Sequence, residues 1–498
     1  MSAVCGALSV AALHWTACRF GFSRWGALLA AMLWGVLGTV WSQSVTTEVY
    51  SAAMLALIIV LGLLSPIVPA GRRTDARPLA AALLLLGVGS GLHQMLMFAL
   101  PALAVSAWFR FRHLKLTAGI AVVCVAAALL GLSVQIYLPL RAAAGAAYAW
   151  EQPDTWDALW GLITTRTFHG QRGVRSVEAL AGQLMNYGRI MINEFGAIAV
   201  LLCAWGAAAL WRMKRRSQLL VLGLLWGTDV LLGLLLFNIP DDWLFFVNVF
   251  FLPSFIACCL LFGGVWDLLS QWRTWSVAVG SSVVLIVLLT HQPANDRSRC
   301  YLLRDWVTGV LNTVPQDGIV VLQRDEAFPV AYAQLIERQR EDVAAVHWMV
   351  GRDPDSWAGR KLRKFHPDLR LPLIPGWQGT GGGELAAFVA GLDRLNQRSV
   401  LLTSFDPDLA ALSIIPWGLL YMVKEAPTPS DIKDGLDWWT LYPLRDVMAN
   451  QSHHEPADEE LARAYADAWH QAQFAAAAAG LGEPPRRAAV SAALGAGN

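Results

Sequence analysis

The chain has 498 residues, 56% of them hydrophobic and only 15% charged, with a formal net charge of +1. A soluble domain carries about 25% charged residues, so much of this chain belongs in a bilayer, and the near-neutral balance gives no electrostatic footing for nucleic acid. The seven cysteines form no CxxC pair; they read as small buried side chains, not as a metal site or a disulfide framework.

Apolar runs of spanning length, roughly 17–25 residues, lie at Ser2–Ala17, Trp25–Trp41 and Thr47–Leu64. Pro78–Trp108 is too long for one helix. Its polar break Gly91-Leu92-His93-Gln94 makes it a hairpin of two spans. Leu116–Leu138, Ile190–Trp211, Leu219–Phe237, Leu244–Leu268 and Trp275–Leu289 follow. The expectation is an α-helical polytopic membrane domain of about nine or ten spans over residues 1–290.

The loops set the orientation. Arg19 and Arg24, then Arg72, Arg73 and Arg77, then Arg110, Arg112 and Lys115, then Arg212, Lys214, Arg215 and Arg216, and finally Arg273 occupy every second connection. The intervening short loops 42–47, 91–94 and 238–243 hold no Lys or Arg. Basic loops stay in the cytoplasm, so the other face is extracytoplasmic. It carries Glu48, His93 and the Asp241-Asp242 pair, with Tyr137, Arg141 and Arg166 nearby. Charges at helix ends are often only solvated, but Glu48 and His93 sit in short connections that must pack closely. Asp229 lies inside the run Leu219–Phe237. A carboxyl there is either functional, because burying charge is costly, or is protonated, or is bonded to Thr228 or to a neighbouring helix.

Segment 139–189 is a long outer loop. Asp154 can cap a helix whose Trp156, Leu159, Trp160 and Ile163 share one face. This amphipathic helix is an interfacial anchor, or a lid over an outward cavity with Arg141 and Arg166 as anion ligands. After Thr290 charged residues become common. Gly318–Gln323, "VAAVHWMV" and Ser399–Phe405 read as strands and "AFPVAYAQLIERQ" as a helix, which predicts a small extracytoplasmic α/β domain with a parallel sheet over 291–450. Asp325 and Glu326 follow the first strand, at the edge where such sheets bind ligands. Gly379–Glu384 lacks the Gly-Lys-Ser/Thr of a phosphate loop, and His453-His454 lacks metal-ligand partners. No cofactor and no metal are expected. Residues 451–498 read as a helical, then disordered, tail.

Five stretches taken in order resemble one family: "WSQSVTTEVYSAAML", "GLHQMLMFALPAL", "YLPLRA" with "WEQPDTW", "NIPDDWLFFVNVFFLPSF", and "AYAQLIERQREDVAAV". They are similar to multi-spanning membrane proteins related to protein O-mannosyltransferases, grouped with the GT-C glycosyltransferases. The resemblance covers roughly residues 1–350. It implies a polyprenyl-phosphate-linked sugar as donor, an exported protein or glycan as acceptor, and contact with membrane lipid. Glu48, His93, Asp241 and Asp242 then become candidate catalytic residues, and Arg141 and Arg166 candidate ligands of the donor phosphate. A transporter or lipid flippase, or a non-catalytic binder of lipid-linked glycans, are the alternatives. The family's principal carboxylate lies in an outer loop directly after its first span. "MSAVCGALSVAAL" resembles a later helix, so the expectation is that the natural reading frame extends upstream of Met1 and that this carboxylate has no counterpart here.

Overall fold

The computed structural model describes residues 1–67, 75–146, 152–164, 166, 176–236, 248–269, 273–323, 325–374, 376–377, 383–445 and 456–481. They form two compact units, 1–140 with 160–297, and 141–159 with 298–498.

The first unit is helical: α1 (Ser2–Arg19), α2 (Arg24–Val36), α3 (Gly38–Val45), α4 (Tyr50–Leu63), α5 (Arg77–Ser90), a 3-10 turn (Gln94–Ala99) running into α6 (Leu100–Phe111), and α7 (Ala118–Leu132). After α8 (Tyr137–Ala143) and α9 (Trp156–Ile163) come α10 (Val177–Arg212), α11 (Arg216–Leu236), α12 (Leu252–Leu268) and α13 (Arg273–Asn295). Six helices among the described residues are long and apolar enough to cross a membrane: Gln94–Phe111, Ala118–Ala143, Val177–Arg212, Arg216–Leu234, Asn248–Leu268 and Thr274–Asn295. A seventh forms if α2 and α3, bent by 61°, count as one span. This is fewer than the nine or ten runs in the sequence. The run Thr47–Leu64, for instance, yields a helix of only 14 residues, about 21 Å long against a hydrocarbon core of about 30 Å.

Every residue of α12 from Leu252 to Trp266 except Leu261 is buried, so α12 is the hub. Small residues let its neighbours close in, as helix contacts in lipid require. A Cβ on Gly206 of α10 would lie 1.9 Å from the Leu261 carbonyl, and one on Gly263 2.7 Å from that of Gly26 in α2. The basic connections gather at one end. There Arg215 pairs with Asp267 at 2.7 Å, the Ser23 N–H donates to Asp267 at 2.8 Å, and Arg19 donates to the Gly62 carbonyl at 2.8 Å. At the opposite end the Ser2 hydroxyl donates to the Glu48 carbonyl at 3.0 Å. Hence α1 and α4 run parallel, as the alternation of loop charges requires.

The second unit holds a five-stranded sheet: β1 (Ile319–Leu322), β2 (Ala344–His347), β3 (Val400–Leu402), β4 (Ile414–Trp417) and β5 (Leu420–Val423), ordered β2-β1-β3-β5-β4. β1 pairs parallel with β2 and β3, whereas β5 is antiparallel to both β3 and β4. The sheet is therefore mixed, not wholly parallel. The β4–β5 hairpin turns at Gly418 (φ 61°), and Pro416 sits on an edge strand, where a missing donor is tolerated. Around the sheet pack α14 (Leu302–Thr313), α15 (Ala327–Leu335), α16 (Trp357–Phe365), α17 (Glu384–Asn396), α18 (Pro429–Asp437) and α19 (Pro456–Ala478). α19 belongs to the core: its Tyr465 and Trp469 are fully buried, and Trp469 meets the Trp439 ring at 5.0 Å. The remainder of the predicted tail, and His453-His454, lie outside the described residues.

Candidate functional site

The rim opposite the basic loops is built by short connections. The α3–α4 connection carries Glu48, which is exposed. Its backbone is fixed by Ser2, whose hydroxyl also accepts from the Glu48 N–H at 3.2 Å. Two residues on, the Tyr50 ring lies 4.8 Å from the ring of His93, and His93 in turn lies 6.2 Å from Phe250. Three connections distant in sequence thus meet at His93.

The chemistry of His93 follows from its bonds. Its Nδ1 accepts from the Met95 N–H at 3.1 Å, capping the 3-10 turn. Burial lowers its pKa from 6.5 to about 4, so the ring is neutral at pH 7. With Nδ1 as acceptor, the ring proton sits on Nε2. His93 is therefore a hydrogen-bond donor through Nε2 and not a free base. Glu48, two residues before Tyr50, is an exposed carboxylate of the same connection.

The amphipathic segment reaches the same connection. The Gln94 side-chain amide donates to the Leu162 carbonyl at 3.5 Å and to that of Ile163, satisfying the C-terminal end of α9. Arg166 is exposed and its guanidinium carbon lies 3.5 Å from a Cβ built on Gly161, so it stands against this helix end. Trp156 and Trp160 are exposed while Leu159 is buried. Arg141 is exposed and belongs to the second unit. Asp241 and Asp242 lie outside the described residues.

Asp229 is fully buried and accepts from the Ser254 N–H, in the first turn of α12, at 2.9 Å. A carboxylate there faces the positive end of that helix. Thr228 bonds elsewhere, to the carbonyls of Phe98 and Leu224. Ser254 also accepts from the Tyr187 hydroxyl at 3.2 Å, and Tyr187 from the Trp226 indole at 2.9 Å, so Asp229 belongs to a polar network joining α10, α11 and α12. A second carboxyl buried among the helices, Glu194, escaped the sequence reading. It sits inside an apolar run, and its partner Thr39 is 155 residues away. Only the presence of an acid within a span could have flagged it. In the second unit, Glu326 accepts from the Gln323 N–H at 3.1 Å and from the Thr403 hydroxyl, bracing the ends of β1 and β3. Among the described residues no cluster of His, Cys, Asp or Glu could hold a metal ion.

These features define a multi-helix membrane protein with a small mixed-sheet domain. Residues 1–117 match the family model described as the protein O-mannosyl-transferase TMEM260 N-terminal domain. Over that segment, which holds Glu48, Tyr50 and His93, the resemblance to the O-mannosyltransferase-related family is borne out. Among solved structures, the Archaeoglobus fulgidus oligosaccharyltransferase in complex with Zn and sulfate is similar at 11% identity and a TM-score of 0.39, over 81% of this chain and 55% of that one. The chain thus spans little more than half the length of that enzyme, and a likeness of this degree bears on no residue's role. No curated protein matches the chain.

Proposed function

We propose that the protein is a GT-C-type glycosyltransferase that moves a sugar from a polyprenyl-phosphate donor to an exported protein or glycan at the outer face of the cell membrane. The observation that carries this reading is the contact of Tyr50 with His93 at the rim opposite the basic loops, two residues past Glu48 and within the segment matched by the O-mannosyl-transferase model. An amphiphilic donor suits such a rim, since its chain lies in lipid and its sugar at the surface. Glu48 takes the proton of the acceptor hydroxyl as that oxygen bonds to the anomeric carbon. The bond from that carbon to the phosphate oxygen breaks, and polyprenyl phosphate leaves with the electron pair. His93 Nε2–H and the guanidinium of Arg166 meet the charge developing on the phosphate. Asp241 and Asp242 are alternative carboxylates.

One observation favours a transporter: α2–α3 and α10 are interrupted helices, a feature of substrate pathways at mid-membrane. The groups freed there are already taken, however, because Glu194 engages the first turn of α3. Purified protein given labelled polyprenyl-phosphate mannose and an acceptor peptide separates the readings. Label in the peptide supports the enzyme. Retention of donor without transfer points to a binding partner, and movement of donor across a vesicle wall to a flippase.

A further inference from the structure

Two helix interruptions meet at one carboxylate. The run α2–α3 bends by 61° at Leu37, and α10 breaks at Gly196, whose backbone adopts φ 73° and ψ 153°. An interruption frees backbone groups that lipid cannot satisfy. Here they are satisfied mutually. Glu194, 5% exposed, accepts from the Thr39 N–H at 3.0 and 3.2 Å and from the Thr39 hydroxyl. That N–H is one of the orphan donors in the first turn of α3, whose positive end favours an anion. The Glu194 carbonyl, two residues before the break, accepts from His291 Nε2–H of α13 at 2.9 Å. Gly38 lies against the same imidazole, where a Cβ would come within 2.8 Å of Nδ1.

From this joint α3 runs straight to the rim. The Ser51 hydroxyl donates to the Gln43 carbonyl at 2.9 Å, and Ser44 Oγ lies 3.4 Å from Ser51 Oγ. Between α1, α3 and α4 lies a small cavity of about 10 Å³, room for about one water, lined by Ser9, Gln43, Ser44, Tyr50 and Ser51 among others. Gln43 Oε1 is buried there with no hydrogen-bond partner among the described residues. The placement of α3 therefore sets the cavity wall and, three residues past the helix, Glu48.

We infer that Glu194 is a positioning residue: by holding the first turn of α3 it fixes the half-helix that carries the segment Gln43–Tyr50. The significance of that segment rests on the function proposed above, but the latch itself does not depend on the chemistry. Hydrogen exchange on the full-length protein in lipid nanodiscs reads it directly. Glu194→Ala and Thr39→Val raise exchange over residues 38–46 by about tenfold or more, because local opening replaces a held turn, while peptides from 300–445 keep their wild-type rates. Thr39→Ser, which retains the hydroxyl donor, restores wild-type protection. If Glu194→Ala does not fold, the shape-preserving Glu194→Gln is read instead, with a rise of about threefold or more expected over the same residues. Unchanged exchange over 38–46 in both Glu194→Gln and Thr39→Val overturns the inference. So does a rise spread evenly over the whole helical unit. Where wild type transfers sugar, Glu194→Gln lowers kcat with the thermal midpoint unchanged, and full kcat despite a loosened α3 overturns the positioning role. Local exchange as expected, with no transfer by any variant or by wild type, leaves the latch standing and defeats the proposed function alone.

Discussion

Lys361 offers a test in which structure fixes both sign and size. It lies in α16 with 5% of its surface exposed, and its Nζ donates to Gln334 Oε1 at 3.1 Å. Gln334 is itself held by the Val343 carbonyl at 2.8 Å and the Arg340 carbonyl at 3.1 Å. One neutral partner does not replace the water an ammonium loses, and burial pushes the amine down from 10.5 to about 8. Between those values the unfolded chain binds the proton and the folded chain does not, so stability rises with pH across that window. Below pH 8 the native state carries the full penalty, about 3 kcal/mol at 1.36 kcal/mol per tenfold change in proton affinity. Lys361→Met removes the charge and keeps the shape, but it strands Gln334 Oε1 at a cost of about 1–2 kcal/mol. The net gain at pH 7 is then about 1–2 kcal/mol, or a few degrees in midpoint for a unit of this size. Thermal unfolding of wild type and variant, followed on the second unit at pH 7 and pH 10.5, measures it. The gain is present at pH 7 and gone at pH 10.5, where wild-type Lys361 is neutral. A variant less stable at pH 7, or one with the same gain at both values, would show that burial of the Lys361 ammonium costs the fold nothing.

Gly206→Leu, which drives a side chain into the Leu261 carbonyl, separates α10 from α12 and abolishes recovery of folded protein on size exclusion. Gly182→Ala, with open space around its Cβ, leaves recovery unchanged. Burial holds His347 at about 4 against 6.5 unfolded; stability of the second unit therefore falls as pH drops from about 6.5 to 4, and His347→Phe flattens that part of the midpoint-against-pH curve. Arg445→Ala removes the partner of Asp305, whose side chain is only 6% exposed, and destabilises the second unit by about 2 kcal/mol in denaturant titration.

Much of this architecture is local in origin and therefore legible in the chain. The break at 91–94, the absence of Lys and Arg from the rim loops and the amphipathic pattern from Trp156 to Ile163 each follow from adjacent residues, as do β1, β2 and β3 with their apolar runs. The hairpin β4–β5 was obscured because Pro416 argues against a strand unless its edge position is known. Among the described residues fewer helices reach spanning length than the sequence has apolar runs, because a run can outlast its helix, as in α4, or bend, as between α2 and α3. Within the site, Glu48 and His93 stood out as polar residues in short connections. Glu194 did not, because its meaning depends on Thr39 and His291, brought to it by packing and by two helix breaks that periodicity cannot register. The pairing of Asp267 with Arg215 and Ser23 is hidden for the same reason.

The rim around Glu48 and His93 is the proposed place of sugar transfer. Its most direct test is the rate at which purified full-length protein in nanodiscs transfers labelled mannose from polyprenyl-phosphate mannose to an acceptor peptide, for wild type, Glu48→Gln and His93→Ala side by side. Expected are transfer by wild type, a fall of about a hundredfold or more in Glu48→Gln and of about tenfold in His93→Ala, and thermal midpoints unchanged in Glu48→Gln. Wild-type rates in Glu48→Gln, or no transfer by wild type under conditions where the donor is bound, contradict this placement.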